Sequence, residues 1–425
     1  MDSFRIGIEE EYFVVDRRTG AIKAELHQAF MKAAKKKLGD QLMYELLQSQ
    51  IEAATLPANS TQTAREDLLR FRTTLAEVGC DHNVGIVAAG THPLAKPENQ
   101  RATRKPRYTK VIDDLGMVGL GSPMCGLHVH VEVPNPDLRM EMMHRLVPFL
   151  PLLLALSTSS PFWAGCNTGL LGYRNAVNDA LPRTGFPEMF RSMSEYQAYV
   201  DALVEAGIVP DATYVWWALR PSLRHPTIEL RLTDCCTAVD DAVAIAALFR
   251  ALVHHVYSNP EAAPEYSPVV RALTEENRWR AQRYGTDGTY LDLDSCEAKP
   301  FSAVLDATLE LVSAGYAKFR MEREAAHLKT IARRGTSAHR QLELYGSLRK
   351  SGRQSKAALR EVTKYLRRCT EAGEFEDAHW MRAPHPLSLS SRQNGNRQNG
   401  NRQNGNGRAT EAVHCSVARR LSSAA

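Results

Sequence analysis

The first residues equipped for chemistry stand close to the start of the chain. In Arg5-Ile6-Gly7-Ile8-Glu9-Glu10-Glu11-Tyr12 the two-residue period of a strand puts Glu9 and Glu11 on one face and Ile6, Ile8 and Tyr12 on the other. Residues 126–133 repeat the pattern, with Leu127, Val129, Val131 and Val133 alternating with His128, His130 and Glu132. In 227–233, Ile228, Leu230 and Leu232 alternate with Glu229 and Arg231, and a shorter run, Gln48-Ser49-Gln50-Ile51-Glu52, presents Glu52. One charged strand face is ordinarily a solvated face. Four that gather Glu and His call for a cation or a water-filled cavity, because like charges brought together disfavour one another's ionisation. Carboxylate oxygens suit hard divalent ions such as Mg²⁺, so the expectation is a sheet whose polar face lines a metal-bearing cleft.

His128-Val129-His130 admits a second chemistry, a zinc-dependent hydrolase in which two imidazoles activate water. The pair sits among carboxylates, and His92, His225, His254 and His255 form no ligand set with it. His130 is equally open to hydrogen bonding beside the site. Arginines recur near turn-forming residues, as in Tyr173-Arg174-Asn175, Arg220-Pro221 and Asn277-Arg278-Trp279-Arg280. A guanidinium offers carboxylate or phosphate a planar fork of donors, which a cleft for a nucleotide and an amino acid requires.

The elements that must position these groups are legible in outline. Apolar spacings of three and four predict helices over 25–38, 62–79, 138–158, 194–206, 239–257, 264–281, 302–324 and 355–370. Asn135-Pro136-Asp137 gives one start signal, and Ser194 with Glu195 another. Alternation predicts strands near 4–15, 46–54, 84–91, 126–133, 214–220 and 227–233. No regular βαβ succession and no Gly-rich phosphate loop appears, so the fold class is α+β with an antiparallel sheet.

The net charge of +5 is carried entirely by residues 388–425, with six Arg and one Glu. The neutral remainder gives no general attraction to phosphate backbones, so no nucleic-acid partner is inferred. Arg-Gln-Asn-Gly-Asn occurs three times from 392 to 406 and has nothing apolar to bury, which predicts a disordered tail. The organisation expected is a catalytic domain over 1–375 and a low-complexity segment over 376–425. The eight cysteines show no C-x-x-C spacing and the N-terminal run no secretory pattern, so reduced thiols and a cytoplasmic setting are expected. The most apolar run, 146–157, is shorter than the ~20 residues a bilayer requires, and a buried core helix rather than a membrane span is expected.

The stretches Gly-Ile-Glu-Glu-Glu-Tyr (7–12), Gly-Thr-His-Pro (90–93), Gly-Leu-His-Val-His-Val (126–131), Leu-Arg-Pro-Ser (219–222), Thr-Ile-Glu-Leu-Arg (227–231) and Asn-Arg-Trp-Arg-Ala-x-Arg-Tyr-Gly (277–285) occur in one order. Together they resemble the YbdK-like carboxylate-amine ligases of the glutamate-cysteine ligase 2 family. The resemblance implies a glutamine synthetase-like fold, a curved antiparallel sheet lining the active site with helices packed on its other face. It implies Mg²⁺ (or Mn²⁺), ATP as co-substrate and small amino-acid substrates, with glutamate joined to cysteine through an acyl phosphate. Glu9, Glu11, Glu52, His128 and Glu229 then fall on metal positions, with Arg231 and Glu229 at the reacting end of ATP. His130, Arg174, Arg220, Asn277 and Arg280 are the candidates for substrate or nucleotide contacts. Two positions depart from the family pattern, Glu132 and Pro226, each where relatives usually carry Gly, which implies an altered substrate choice. The rival functions are the His128/His130 hydrolase and a nucleotide-binding protein without turnover. A homo-oligomer is left open.

Overall fold

A computed structural model describes residues 4–260 and 267–376. The repeat segment and most of the tail expected over 376–425 therefore lie outside the described residues. One seven-stranded antiparallel sheet organises the chain. Its strands are β1 (Ile6–Asp16), β2 (Leu42–Tyr44), β3 (Gln50–Ala54), β4 (Val84–Val87), β5 (Leu127–Glu132), β6 (Leu219–Pro221) and β7 (Thr227–Leu230). The order is β2-β3-β1-β5-β7-β6, and β4 pairs with the far half of β1. Two small hairpins, Phe162–Trp163 with Cys166–Asn167 and Thr289–Leu291 with Ala298–Pro300, stand apart from it.

β1 changes character along its length. From Ile6 to Tyr12 burial alternates, as the sequence pattern requires, whereas Phe13, Val14 and Val15 are all buried. The second half is where β4 pairs and where helix Ser355–Ala372 packs against β4, so both faces are covered there. Behind the sheet lie helices Thr61–His82 and Val239–Ser258, the latter with sixteen of its twenty residues buried. Glu10 points into this core. Arg72 donates from Nε to Glu10 at 3.0 Å and from its two Nη atoms to the carbonyls of Thr237 and Cys236, and Tyr12 donates its hydroxyl to Glu10. Every polar atom of this buried ion pair that can be paired is paired, the condition under which such a pair is tolerated.

The predicted elements shift where a local signal overrides periodicity. The helix expected over 302–324 is three: Phe301–Leu311, Ser313–Phe319 and Glu322–Arg334, the second ended by Arg320 in the left-handed region at φ 55°. Ser194 is not the cap of its helix; Ser192 is, its side chain accepting from the Glu195 N–H. The strand expected over 46–54 begins only at Gln50, with β2 a separate neighbour. Helices Pro106–Leu115 and Ser337–Lys350 were not anticipated. The first buries only Val111, too little for a periodic signal, and the second is capped by His339 reaching back to the Thr336 N–H where Glu or Gln is usual. The helical run Pro136–Ser157 is long and apolar enough to cross a bilayer by length and composition, yet 72% of its most apolar window is buried inside the protein.

Candidate active site

Strand register brings the sequence candidates onto one face in three rows. Arg220 on β6 lies opposite Glu229 on β7, and Glu229 opposite His130 on β5. Glu9 lies opposite His128, and Glu11 opposite Glu52 on β3. A polar sheet face is thereby assembled from segments more than 200 residues apart in the chain.

The donor atoms sort into two sets. Glu9, His128 and Glu229 each offer one ligand atom within 4.8 Å of the others, as do Glu11, Glu45 and Glu52. Glu45 is a residue the sequence patterns missed. It follows β2 by one position and shares strand parity with Met43, which is opposite Glu52. Such carboxylate-rich sets fit a hard divalent cation. His128 keeps a buried Nε2 with no hydrogen-bond partner. The two imidazoles do not share a candidate set: His128 falls in one and His130 does not, its Nδ1 lying 3.0 Å from the Thr227 hydroxyl and its Nε2 3.1 Å from Glu9.

Charge is distributed unevenly. Burial works to raise Glu9, but hydrogen bonds and charge from His128 and His130 hold it well below the usual carboxylate range. Burial likewise opposes ionisation of Glu229, and is outweighed by Arg231 and Arg220. Glu52 is pushed well above the ordinary value, first by burial and then by Glu9 and Glu45, and Glu11 is raised by burial with Glu45. One set thus carries its own cations, whereas the other is a knot of carboxylates that a proton or a metal ion relieves.

Around these sets opens a cleft of two lobes. One, of about 350 Å³, includes Arg174, Arg278, Tyr108 and Trp216; the other, of about 570 Å³, includes Glu9, His130, Arg220 and Glu229. Both are lined by Glu11, Glu45, Glu52, His128, Arg231, Arg107 and Trp216, which form the neck between them. Arg231 donates to Glu229, and Arg220 donates from Nε to the same carboxylate at 2.7 Å. Arg174 is buried, donating to the carbonyls of Arg231 and Leu232. Its backbone N–H donates to Ser160, whose hydroxyl donates to Asp234.

Two candidates lie elsewhere. Asn277 spends its amide on both backbone groups of Leu291, and Arg280 donates to Thr289, so both tie helix Pro268–Tyr284 to a hairpin and neither lines the lobes. Their neighbour Arg278 does line one. The Gly-Thr-His-Pro stretch is structural as well: a Cβ at Gly90 would sit 2.5 Å from the Asp234 carboxyl carbon, and His92 is buried against the Gly20 carbonyl.

The sequence profile of glutamate-cysteine ligase family 2 matches residues 5–365. The chain belongs to this family. Proteins named "Putative glutamate--cysteine ligase 2" are 44% identical over 369 residues in Bradyrhizobium sp. (strain ORS 278), covering 86% of this chain and 88% of that one. In Rhodospirillum rubrum the identity is 43%, covering 86% and 95%. The ligase shares its fold with the glutamate–cysteine ligase of Francisella tularensis solved with AMP, at a TM-score of 0.61 and 13% identity over 85% of this chain and 89% of that one. A bifunctional glutathione synthetase from Pasteurella multocida gives a TM-score of 0.60 at 14% identity, and this chain, 86% covered, spans about half of that protein, 52%. The α+β class with an antiparallel sheet expected from the sequence stands, and the ligase is an ATP-dependent carboxylate-amine ligase.

Proposed function

We propose that the ligase joins a substrate carboxylate, that of the glutamate side chain, to an amine such as that of cysteine. The carboxylate attacks the γ-phosphorus of ATP, releasing ADP and forming an acyl phosphate. The amine then attacks the acyl carbon, and phosphate departs. The observation that carries this is the neck: two lobes, one for each side of a phosphoryl transfer, meet at Glu11, Glu45, Glu52, His128 and Arg231.

Glu9, His128 and Glu229 would hold one Mg²⁺ or Mn²⁺, and Glu11, Glu45 and Glu52 a second. Metal bound there supplies positive charge between an anionic nucleophile and a triphosphate. Arg231 stabilises charge on the transferring phosphoryl oxygens, and Glu229 keeps its guanidinium aimed across the neck. Arg220 shares Glu229 and lines the larger lobe, which would take the nucleotide; Arg174, in the smaller lobe, would receive the carboxylate of the amino-acid substrate. The sheet excludes water from one side, which strengthens each of these interactions. The seven cysteines among the described residues are all free thiols, which supports a cytoplasmic location.

The test is ADP release with Mg-ATP, glutamate and cysteine, with hydroxylamine added to trap the acyl phosphate as a hydroxamate. Glutamate-dependent hydroxamate is expected. ADP release that ignores every amino acid, with no hydroxamate formed, would sink the proposal.

A further inference from the structure

The lobe on the Arg174 side has an apolar wall that a small acceptor leaves uncovered. Leu46, Val111, Leu115 and Trp216 line it, and the same four pack around Val209 and Tyr214 in an apolar cluster separate from the main core. Arg174 and Arg278 line the same lobe at 6% and 7% exposure, and Nε of each has no hydrogen-bond partner. Arg278 is ion-paired with Asp179 and, at 3.2 Å, with Glu275, whereas Arg174 hydrogen-bonds only backbone carbonyls and makes no direct ion pair, with Asp234 and Glu11 acting on it from farther away. A buried cation beside an apolar wall in one cavity of about 350 Å³ complements a molecule with one carboxylate and one sizeable apolar group. Cysteine supplies the carboxylate, but its single CH₂–SH reaches little of the wall. Each further buried CH₂ gains free energy there.

Resting on the ligase function above, we propose that the amine substrate is an α-amino acid with a branched aliphatic or aromatic side chain. Its carboxylate lies toward Arg174 and its side chain against Val111, Leu115 and Trp216. The amine nitrogen then bonds to the acyl carbon at the neck, the C–O bond to phosphate breaks, and the departing phosphate takes up the amine proton.

The experiment measures ADP release with Mg-ATP and glutamate, or another acid from an amino-acid panel, while the acceptor is varied among alanine, cysteine, leucine, phenylalanine and phenethylamine. Leucine or phenylalanine is expected to exceed alanine and cysteine in kcat/KM by about tenfold or more. Phenethylamine, without a carboxylate, is expected to lose that advantage. Val111→Thr, nearly isosteric, is expected to shrink the leucine-to-alanine ratio. Leucine no better than alanine, in an enzyme that releases ADP with cysteine, overturns the apolar assignment and leaves the ligase function standing. Hydroxamate formed from leucine when glutamate is omitted overturns its assignment as the amine. No ADP with any acid and amine overturns the ligase function itself.

Discussion

A Cβ on residue 126 would lie 2.4 Å from Nη2 of Arg174, so the glycine just before β5 is what lets this guanidinium lie against the sheet. The same added atom would meet His128 Nε2 at 2.8 Å. Gly126→Ala is therefore expected to fold, since both obstacles are side-chain ends, but to displace two groups of the neck. A loss of about 100-fold in kcat/KM, with the melting temperature nearly kept, is the expected outcome of steady-state assays and calorimetry, because misplacement by about 1 Å costs that much. Full activity would mean that Arg174 can move without consequence.

Arg231 touches the carboxylate that Arg220 also holds, so removing it does not strand Glu229 unpaired. Arg231→Ala should lower kcat by roughly 10²–10³ while KM for ATP moves little, the signature of a contact made in the transition state. Arg231→Lys should recover only part, since an ammonium lacks the planar fork. A change confined to KM would assign Arg231 to ground-state binding.

Burial and neighbouring carboxylates raise Glu52 and Glu11 in the folded protein. A raised carboxyl favours the fold below the ordinary range, near 4.5, and that contribution is lost as pH rises through the raised value. A cation takes the place of those protons, so the rise in melting temperature on adding Mg²⁺ should be larger at pH 8 than at pH 6. Glu45→Gln should melt higher than the wild type without metal, by relieving repulsion, and show a weaker response to Mg²⁺. An unchanged response in the variant would remove Glu45 from the metal set.

His92 is buried, and burial lowers it from 6.5 to about 4. The Leu94 N–H donates to its Nδ1 at 3.1 Å and its Nε2 lies 3.1 Å from the Gly20 carbonyl oxygen, an arrangement that suits the neutral ring. Its stabilising contribution is complete above about pH 6.5 and is lost as pH falls to about 4, on the order of 3 kcal/mol. Urea unfolding across that window should show the loss, and His92→Gln should flatten it. An equally steep acid limb in the variant would trace it to other groups.

The strand face was legible because Glu9, Glu11, His128 and Glu229 alternate with side chains that must be buried, and period two fixes both sets at once. Glu45 escaped because it sits just past a three-residue strand, too short to establish a period. Helix Pro106–Leu115, which supplies Arg107 and Tyr108 to the cleft, rests on a satellite cluster and carries almost no buried stripe. Asn277 and Arg280 misled for the opposite reason: their residue types suit ligand binding, but the same donors also satisfy backbone groups of a hairpin, and sequence does not say which.

The central position of β1 sets the timetable of folding. Its residues pair with β5 more than 110 positions later, and β5 pairs with β7 about another 100 positions on. Closing such long loops before any contact rewards them makes sheet formation slow. At about 5–20 residues per second, a ribosome takes roughly ten seconds between exposing Glu9 and exposing its β5 partner His128. During that interval the first strand has only β3 and β4 as partners, its edge toward β5 stays open, and the polar half of that edge, Gly7 to Glu11, is its guard against pairing with a neighbouring nascent chain.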